Sequence, residues 1–329
     1  MILLDAVPVS YRRDQNNEIE FGSDEFQAIT ESPCACPVTD LAAIRITGSD
    51  ARSFLHGQFT SDVRALEAGQ GQLSAWCTPQ GRVSFLFHLC AEAEGFLVLI
   101  STSEAARFVA RLKMFVLRAQ VVIDDCSERI AILGISAPRT HVVPEALTDF
   151  PPTRLVITHP TPTLTALCID PSVRYLVWGE VSAVGAWWSA CGLKNIGTAA
   201  WRALDIAQGL PRLSGCAINA FLPQELNLDV INAVSFDKGC YPGQEIIARL
   251  KYRGAVKSRL VAGRTSAAAV GHKLCRALGD SPLNAGDIIT CVTTPSGESR
   301  FLAVVALNAL EIPLHVGDPQ GPLVHLVKF

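Results

Sequence analysis

From about residue 38 onward the chain switches between a period of two and a period near 3.6. Ala42-Ala43-Ile44-Arg45-Ile46 predicts a strand, and Gly48-Ser49-Asp50 then offers a turn and an N-cap for a helix through Ala51-Arg52-Ser53-Phe54-Leu55. Gln72 to Cys77, a Thr78-Pro79-Gln80-Gly81 turn and Arg82 to Leu89 predict two strands about a tight connection, with a third from Phe96 to Ile100. Between Glu104 and Leu117 the apolar positions Ala105, Phe108, Val109, Leu112, Phe115 and Val116 form a helical stripe. Strands follow at 121–123, 130–135, 164–169 and 175–178, and a helix at 199–208. The Pro- and Thr-rich stretch 144–162 is expected to wander on the surface, and residues 1–38, with the polar run Arg12-Arg13-Asp14-Gln15-Asn16-Asn17, show no clear pattern. Beyond Lys257 only short β-rich runs separated by Gly and Pro turns remain, which predicts a small all-β barrel. The fold class is α+β.

Composition narrows the function classes. With 329 residues, 49% of them hydrophobic, the chain can bury several cores. A formal net charge of -3 lacks the global basic footprint of a nucleic-acid binder, although a local patch remains open. No apolar run approaches the roughly 18 residues of a membrane span, and the opening Met1-Ile2-Leu3-Leu4-Asp5 has no basic lead-in, so a cytoplasmic protein without membrane attachment is expected. The eleven cysteines are scattered, odd in number and never spaced C-x-x-C. They predict reduced apolar fillers rather than disulfides, zinc or a resident iron-sulfur cluster.

Residues 237–254 depart from this ordinary pattern. Asp237, Lys238, Cys240, Tyr241, Gln244, Glu245, Arg249, Lys251, Tyr252 and Arg253 crowd around three glycines. Gly239 and Gly243 bracket Cys240-Tyr241-Pro242, which suggests a tight loop exposing a thiol, with a strand or short helix over 244–250. Cations at Lys238 and Arg249 would favour the thiolate and raise its reactivity. The plain alternative, a buried cysteine like most of the others, is equally compatible with composition. Arg249, Lys251, Arg253, Lys257 and Arg259 form a basic run that suits a folate glutamate tail, an RNA phosphate or solvent.

The run Lys238-Gly239-Cys240-Tyr241-Pro242-Gly243-Gln244-Glu245 resembles the K-G-C-Y-x-G-Q-E signature of the YgfZ/GcvT-like folate-binding family. Similar matches surround it: Phe221-Leu222-Pro223-Gln224 with Asn227-Leu228, Ala248 to Gly254, Gly57-Gln58-Phe59-Thr60-Ser61-Asp62-Val63, Gly81, and Trp201 to Ile206 with Gly209-Leu210-Pro211. The resemblance covers most of residues 38–260. It implies a glycine-cleavage T-protein-like fold: two intertwined α+β domains and a C-terminal β-barrel around a central channel that holds tetrahydrofolate. The expected division is 1–50 with 130–250 as the first α+β domain, carrying the signature, 51–129 as the second, and 251–329 as the barrel. It further implies an accessory role in iron-sulfur enzyme assembly or repair and tRNA modification, with an enzyme such as a tRNA methylthiotransferase as partner and direct tRNA contact left open. Cys240 is then the functional thiol, tuned by Lys238 and Arg249, while Trp201, Asn227, Gln224, Tyr241, Gln244, Glu245 and Arg253 are the expected folate-side residues. Trp201 has the flat face for stacking on a ligand, or for packing in a core.

The alternative is a folate-dependent one-carbon transferase. Against it, Arg82-Val83-Ser84-Phe85 stands where the T-protein relies on an aspartate, and no carboxylate is there to stabilise a cationic intermediate. Ala207 replaces a glutamate that relatives offer to the pterin, leaving Asp205 or Gln208 as substitutes, and Leu41 stands where some relatives have an aromatic residue.

Overall fold

The structure, a computed structural model, describes residues 2–5, 7, 10–13, 18–138, 144–170, 174–278 and 281–327. Part of the polar run near the N-terminus, residues 14–17, lies outside them. The described chain divides into two units, each assembled from separated segments: Met1–Leu55, Val63–Leu73 and Phe87–Trp201 make one, and His56–Asp62, Ser74–Leu86 and Arg202–Phe329 the other.

A six-stranded sheet in the first unit runs in the order Ile157–Thr161, Leu164–Asp170, Arg174–Glu180, Ile130–Ser136, Cys34–Pro37, Lys194–Asn195. Its pairings are antiparallel except the last, which is parallel. Alternate residues of these strands, Leu133, Ile135, Ala166, Cys168, Tyr175 and Val177, bury one face against Val184 and Trp188 of the helix Val181–Ala190. The Pro- and Thr-rich segment does more than cross the surface. Leu147 and Phe150 are buried in this core, Phe150 meeting Tyr175 edge-on at 4.9 Å, and residues 157–161 form the sheet's first strand. Two large side chains outweigh the turn-forming composition around them.

A five-stranded sheet has the order Gly71–Cys77, Val83–Glu92, Gly95–Ser101, Leu41–Thr47, Val122–Asp125. The helix Thr102–Lys113 lays Ala105, Phe108 and Leu112 inward, and Phe108 packs edge-on against Phe87 at 5.3 Å. This helix stops four residues short of its expected end at Leu117. Leu117 takes a left-handed φ of +47°, and Met114, Phe115 and Leu117 stand exposed. The apolar periodicity of 115–117 thus continues a helical pattern that the backbone has already left.

The second unit contains the expected barrel. It closes as Ser258–Thr265, Ser299–Ala306, Ser281–Thr293, Lys273–Leu278, Leu314–Val316, Leu323–Val327, the last pairing back onto the first. Leu274, Ile288, Phe301, Ala303 and Val305 fill it. Gly263 is required opposite Phe301, because a Cβ there would sit 2.5 Å from the ring. Among the described residues no helix is long and apolar enough to cross a membrane.

Candidate functional site

Nine of the ten site residues expected from sequence lie in the second unit, around the loop 237–243 and the helix Gln244–Arg253 that follows it. The loop is locked at both ends. At its far end Gly243 has φ +82°, and a Cβ on it would stand 2.5 Å from the Thr78 carbonyl oxygen and 2.6 Å from the Cα of Gly81. Gly81, itself at φ +75°, closes the 78–81 turn through its N–H to the Thr78 carbonyl at 2.9 Å. Two backbones therefore touch directly, which only glycine permits here.

The near end is held by Lys238. Its side chain is buried, and its ammonium donates to the backbone carbonyls of His56 (2.5 Å), Phe59 (2.5 Å) and Ser61 (3.1 Å). An ammonium has three donors, and three carbonyls take them. The same nitrogen lies 4.9 Å from the centroid of the buried Tyr241 ring. The Gly57-to-Val63 motif and the Lys238-to-Glu245 motif, far apart in sequence, thus meet through one cation. Thr60 fixes the first motif in turn: its hydroxyl donates to the Ala233 carbonyl at 2.7 Å and accepts from the Ala75 N–H at 3.0 Å. Burial pushes the Tyr241 phenol well above its ordinary range, the neighbouring Cys77 adding to the shift.

Between these anchors Cys240 is exposed, one of two exposed cysteines among the eleven, the other being Cys216. The loop's underside is formed by His56, whose Nε2 would lie 3.6 Å from a Cβ on Gly239 and whose Nδ1 is 3.2 Å from Asp62 Oδ1. No sequence signal pairs His56 with Asp62, which stand six positions apart on a segment that carries no paired-histidine spacing. Gln244 continues the packing, its side-chain amide donating to the Lys238 carbonyl at 3.3 Å. Gln224 donates to the Ile247 carbonyl at 2.7 Å, and Asn227, at φ +58°, donates to the Leu260 carbonyl at 2.9 Å, so both tie the helix and the barrel strand to the 223–227 turn. Glu245, Arg249 and Arg253 are exposed on the helix.

Trp201 belongs to the first unit and is 1% exposed. The Arg174 guanidinium lies 4.2 Å from its ring centroid, and the ring presses on Gly134, where a Cβ would stand 2.8 Å away. Protein groups thus occupy the indole.

Where a T-protein-like carboxylate would stand, the Ser84 hydroxyl donates to Asn219 Oδ1 at 2.5 Å, and the two strands of chain are also joined through their backbones, Val83 N–H to the Phe221 carbonyl and Asn219 N–H to the Val83 carbonyl. Asp205 is ion-paired with Arg212 at 3.0 Å, and Ala207 is exposed at the end of its helix. Among the described residues no group of three or more His, Cys, Asp or Glu side chains could hold a metal ion.

The sequence pattern of the GCVT N-terminal domain family matches residues 6–156. The tRNA-modifying protein YgfZ of Edwardsiella ictaluri is 31% identical over 81% of this chain and 82% of its own length. The chain belongs to the YgfZ family. The YgfZ of Colwellia psychrerythraea is 26% identical over 84% of this chain and 86% of its own. Among solved structures, the glycine cleavage system aminomethyltransferase T from Bartonella henselae superposes with a TM-score of 0.77 over 99% of this chain and 95% of that one. At 14% identity the likeness establishes a T-protein fold, as the signature implied, and nothing about chemistry. This YgfZ family member keeps the T-protein architecture and carries a Ser84–Asn219 pair in the turn region where that enzyme was expected to need an acid.

Proposed function

We propose that this protein binds tetrahydrofolate in the cytoplasm and supports tRNA modification and the upkeep of iron-sulfur enzymes, with Cys240 as its working thiol. One observation carries the reading: Cys240 is exposed on a loop whose other residues are held by Lys238, Tyr241 and Gly243. A fold that wanted only an apolar filler would bury the sulfur, as it buries seven of the other cysteines. Lys238 acts in this reading as a positioning residue, because its donors are committed to carbonyls, and Arg249 remains the cation available on the surface.

Tetrahydrofolate is supported by family membership and by the chemistry of the second unit. Two buried carboxamide oxygens, Gln58 Oε1 and Gln224 Oε1, have no hydrogen-bond partner among the described residues, and acceptors of this kind suit the ring N–H groups of a pterin. Folate, when bound, would supply a one-carbon carrier; the chain's own residues supply acceptors, an ordered loop and a thiol. The relatives' names, tRNA-modifying protein, support the tRNA part of this reading, and the iron-sulfur part is our extension of it through the exposed thiol. The free state of all eleven cysteines fits a reducing compartment. The transferase alternative loses ground at Ser84, where a neutral pair offers no charge to a cationic intermediate.

The test is calorimetric titration of the full chain with 5-formyltetrahydrofolate, alongside complementation of a null strain by Cys240→Ser. Saturable binding and failure of the serine variant are expected. Full complementation by Cys240→Ser would remove the thiol from the mechanism, and absence of binding would remove folate.

A further inference from the structure

The helix Gln244–Arg253 buries Ile247, half-buries Gln244, Ala248 and Leu250, and exposes Glu245, Ile246, Arg249, Lys251, Tyr252 and Arg253. Between Ile246 and Arg259 the sequence holds five basic residues and no acidic one, in a chain whose net charge is -3. The structure sorts those five cations. Arg259 is consumed internally: its guanidinium grips Asp229 with two bonds, at 2.6 and 3.0 Å, and donates to the Gln224 carbonyl at 2.8 Å. Arg249, Lys251, Arg253 and Lys257 are exposed and, among the described residues, have no carboxylate partner.

An aromatic group stands among them. Tyr252 is 66% exposed, and its ring meets Phe236 edge-on at 6.4 Å. Lys251 lies 5.1 Å from the same Phe236 ring. Phe236 therefore orients both a cation and a tyrosine without covering either. Ile246, Arg249, Tyr252 and Arg253, spaced by three and four residues, share one helical face. Cys240 is exposed four residues before the helix begins.

Favourable charge at a helix C-terminus explains Lys251 and Arg253 in part. It does not explain Arg249 in the middle of the helix, Lys257 beyond it, or a large aromatic ring held in solvent. Unpaired cations interleaved with an exposed, braced ring are what single-stranded nucleic acid requires: charges that track phosphates and a π-face on which an unpaired base stacks.

We propose that the exposed surface around Tyr252, with Arg249 and Arg253 on its own helical face, Lys251 on the flank braced by Phe236 and Lys257 beyond the helix end, is a docking surface for the single-stranded regions of tRNA. The inference rests on the tRNA part of the function proposed above and adds direct contact, with the thiol of Cys240 on the same stretch of chain. Tyr252 stacks on a base, and the four cations neutralise up to four phosphates.

The experiment measures binding of purified, dye-labelled unfractionated tRNA to the full chain by fluorescence anisotropy, without folate. With four phosphates neutralised, affinity falls about 50- to 150-fold between about 50 and about 200 mM KCl. A Lys251→Glu/Arg253→Glu variant loses tRNA affinity by about 10-fold or more and flattens the salt dependence. Tyr252→Ala weakens tRNA by about 5-fold or more while leaving heparin, a polyanion without bases, within about 2-fold of wild type. These side chains are exposed, so melting by circular dichroism should be unchanged; Arg249→Gln/Lys257→Gln serves as a second variant if the charge reversal disturbs folding.

Absence of tRNA binding at low salt, or binding that ignores both double variants, overturns the proposal. Equal losses of heparin and tRNA with no effect of Tyr252→Ala overturn the stacking contact. If the charge variants weaken only a folate triglutamate and leave tRNA untouched, the face serves an anionic tail and the proposal also fails. Cys240→Ser is expected to keep full tRNA affinity, so failure of the thiol or folate reading leaves this result readable by itself.

Discussion

Replacing Lys238 with methionine separates two roles that a lysine beside a reactive cysteine can have. The ammonium satisfies three carbonyls, on His56, Phe59 and Ser61, in a buried setting. Hydrogen bonds to a charged group contribute about 1.5 to 3 kcal/mol each, so the gross loss is about 5 to 9 kcal/mol. Against this, the buried ammonium no longer has to be stripped of water, a relief of several kcal/mol. Methionine keeps most of the apolar stem, so no large cavity term is added. The net expectation is destabilisation by about 3 kcal/mol. Urea denaturation followed by tryptophan fluorescence and circular dichroism measures it, and peptide-resolved alkylation with iodoacetamide in a Cys216→Ser background reads the thiol. A positioning lysine predicts lost stability with Cys240 alkylated at least as fast as in wild type, because a loosened loop exposes it more. A loss below about 1 kcal/mol together with slowed alkylation would refute the reasoning and restore Lys238 as the group that acts on the sulfur.

Gly243→Ala should be among the most damaging single-methyl changes in the chain, since a left-handed φ of +82° adds to a clash with the backbone of Thr78 and Gly81. A loss of about 3 kcal/mol or more is expected from thermal melting, and a shift within error of wild type would show that the two turns can separate freely. Ellman's reagent should titrate two thiols rapidly in the folded chain, Cys216 and Cys240, and all eleven after denaturation. Burial raises the thiols of Cys168 and Cys291 to about 11 and that of Cys34 to about 12, which keeps them protonated and slow; more than two fast thiols would contradict the burial pattern. Tyr175 is raised by burial to about 12 and Tyr241 further, so in the folded state both hold their protons where the unfolded chain, titrating near 10, releases them. Stability should therefore fall as pH rises above about 10. Denaturation midpoints measured from about pH 9 to about 11.5 test the sign, and for Tyr241→Phe the fall should be shallower.

Much of this protein is written locally. The strands at Leu41–Thr47, Gly95–Ser101 and Ile130–Ser136, the helix opening at Ala51, the hairpin about the 78–81 turn and the β-rich end after Lys257 all follow from side-chain period and turn residues, which neighbours in sequence decide. Membership of the YgfZ family was legible in the same way, because Lys238 to Glu245 is a continuous string. Local pattern misled where long-range packing overruled it: at Phe115 and Val116, whose helical spacing runs past the helix end, and at Leu147 and Phe150, drawn into a core from a Pro-rich stretch. The division of labour within the signature belonged to tertiary structure alone. Sequence puts Lys238 two residues from Cys240, which suggests action on the thiol; only the folded chain brings residues 56–61 over it and commits its donors to their carbonyls. In the same way Arg259, one of five cations in a run, is set apart from the other four by Asp229, thirty residues away in sequence. A charge's partner is chosen by distance in space, and no period in the sequence encodes that distance.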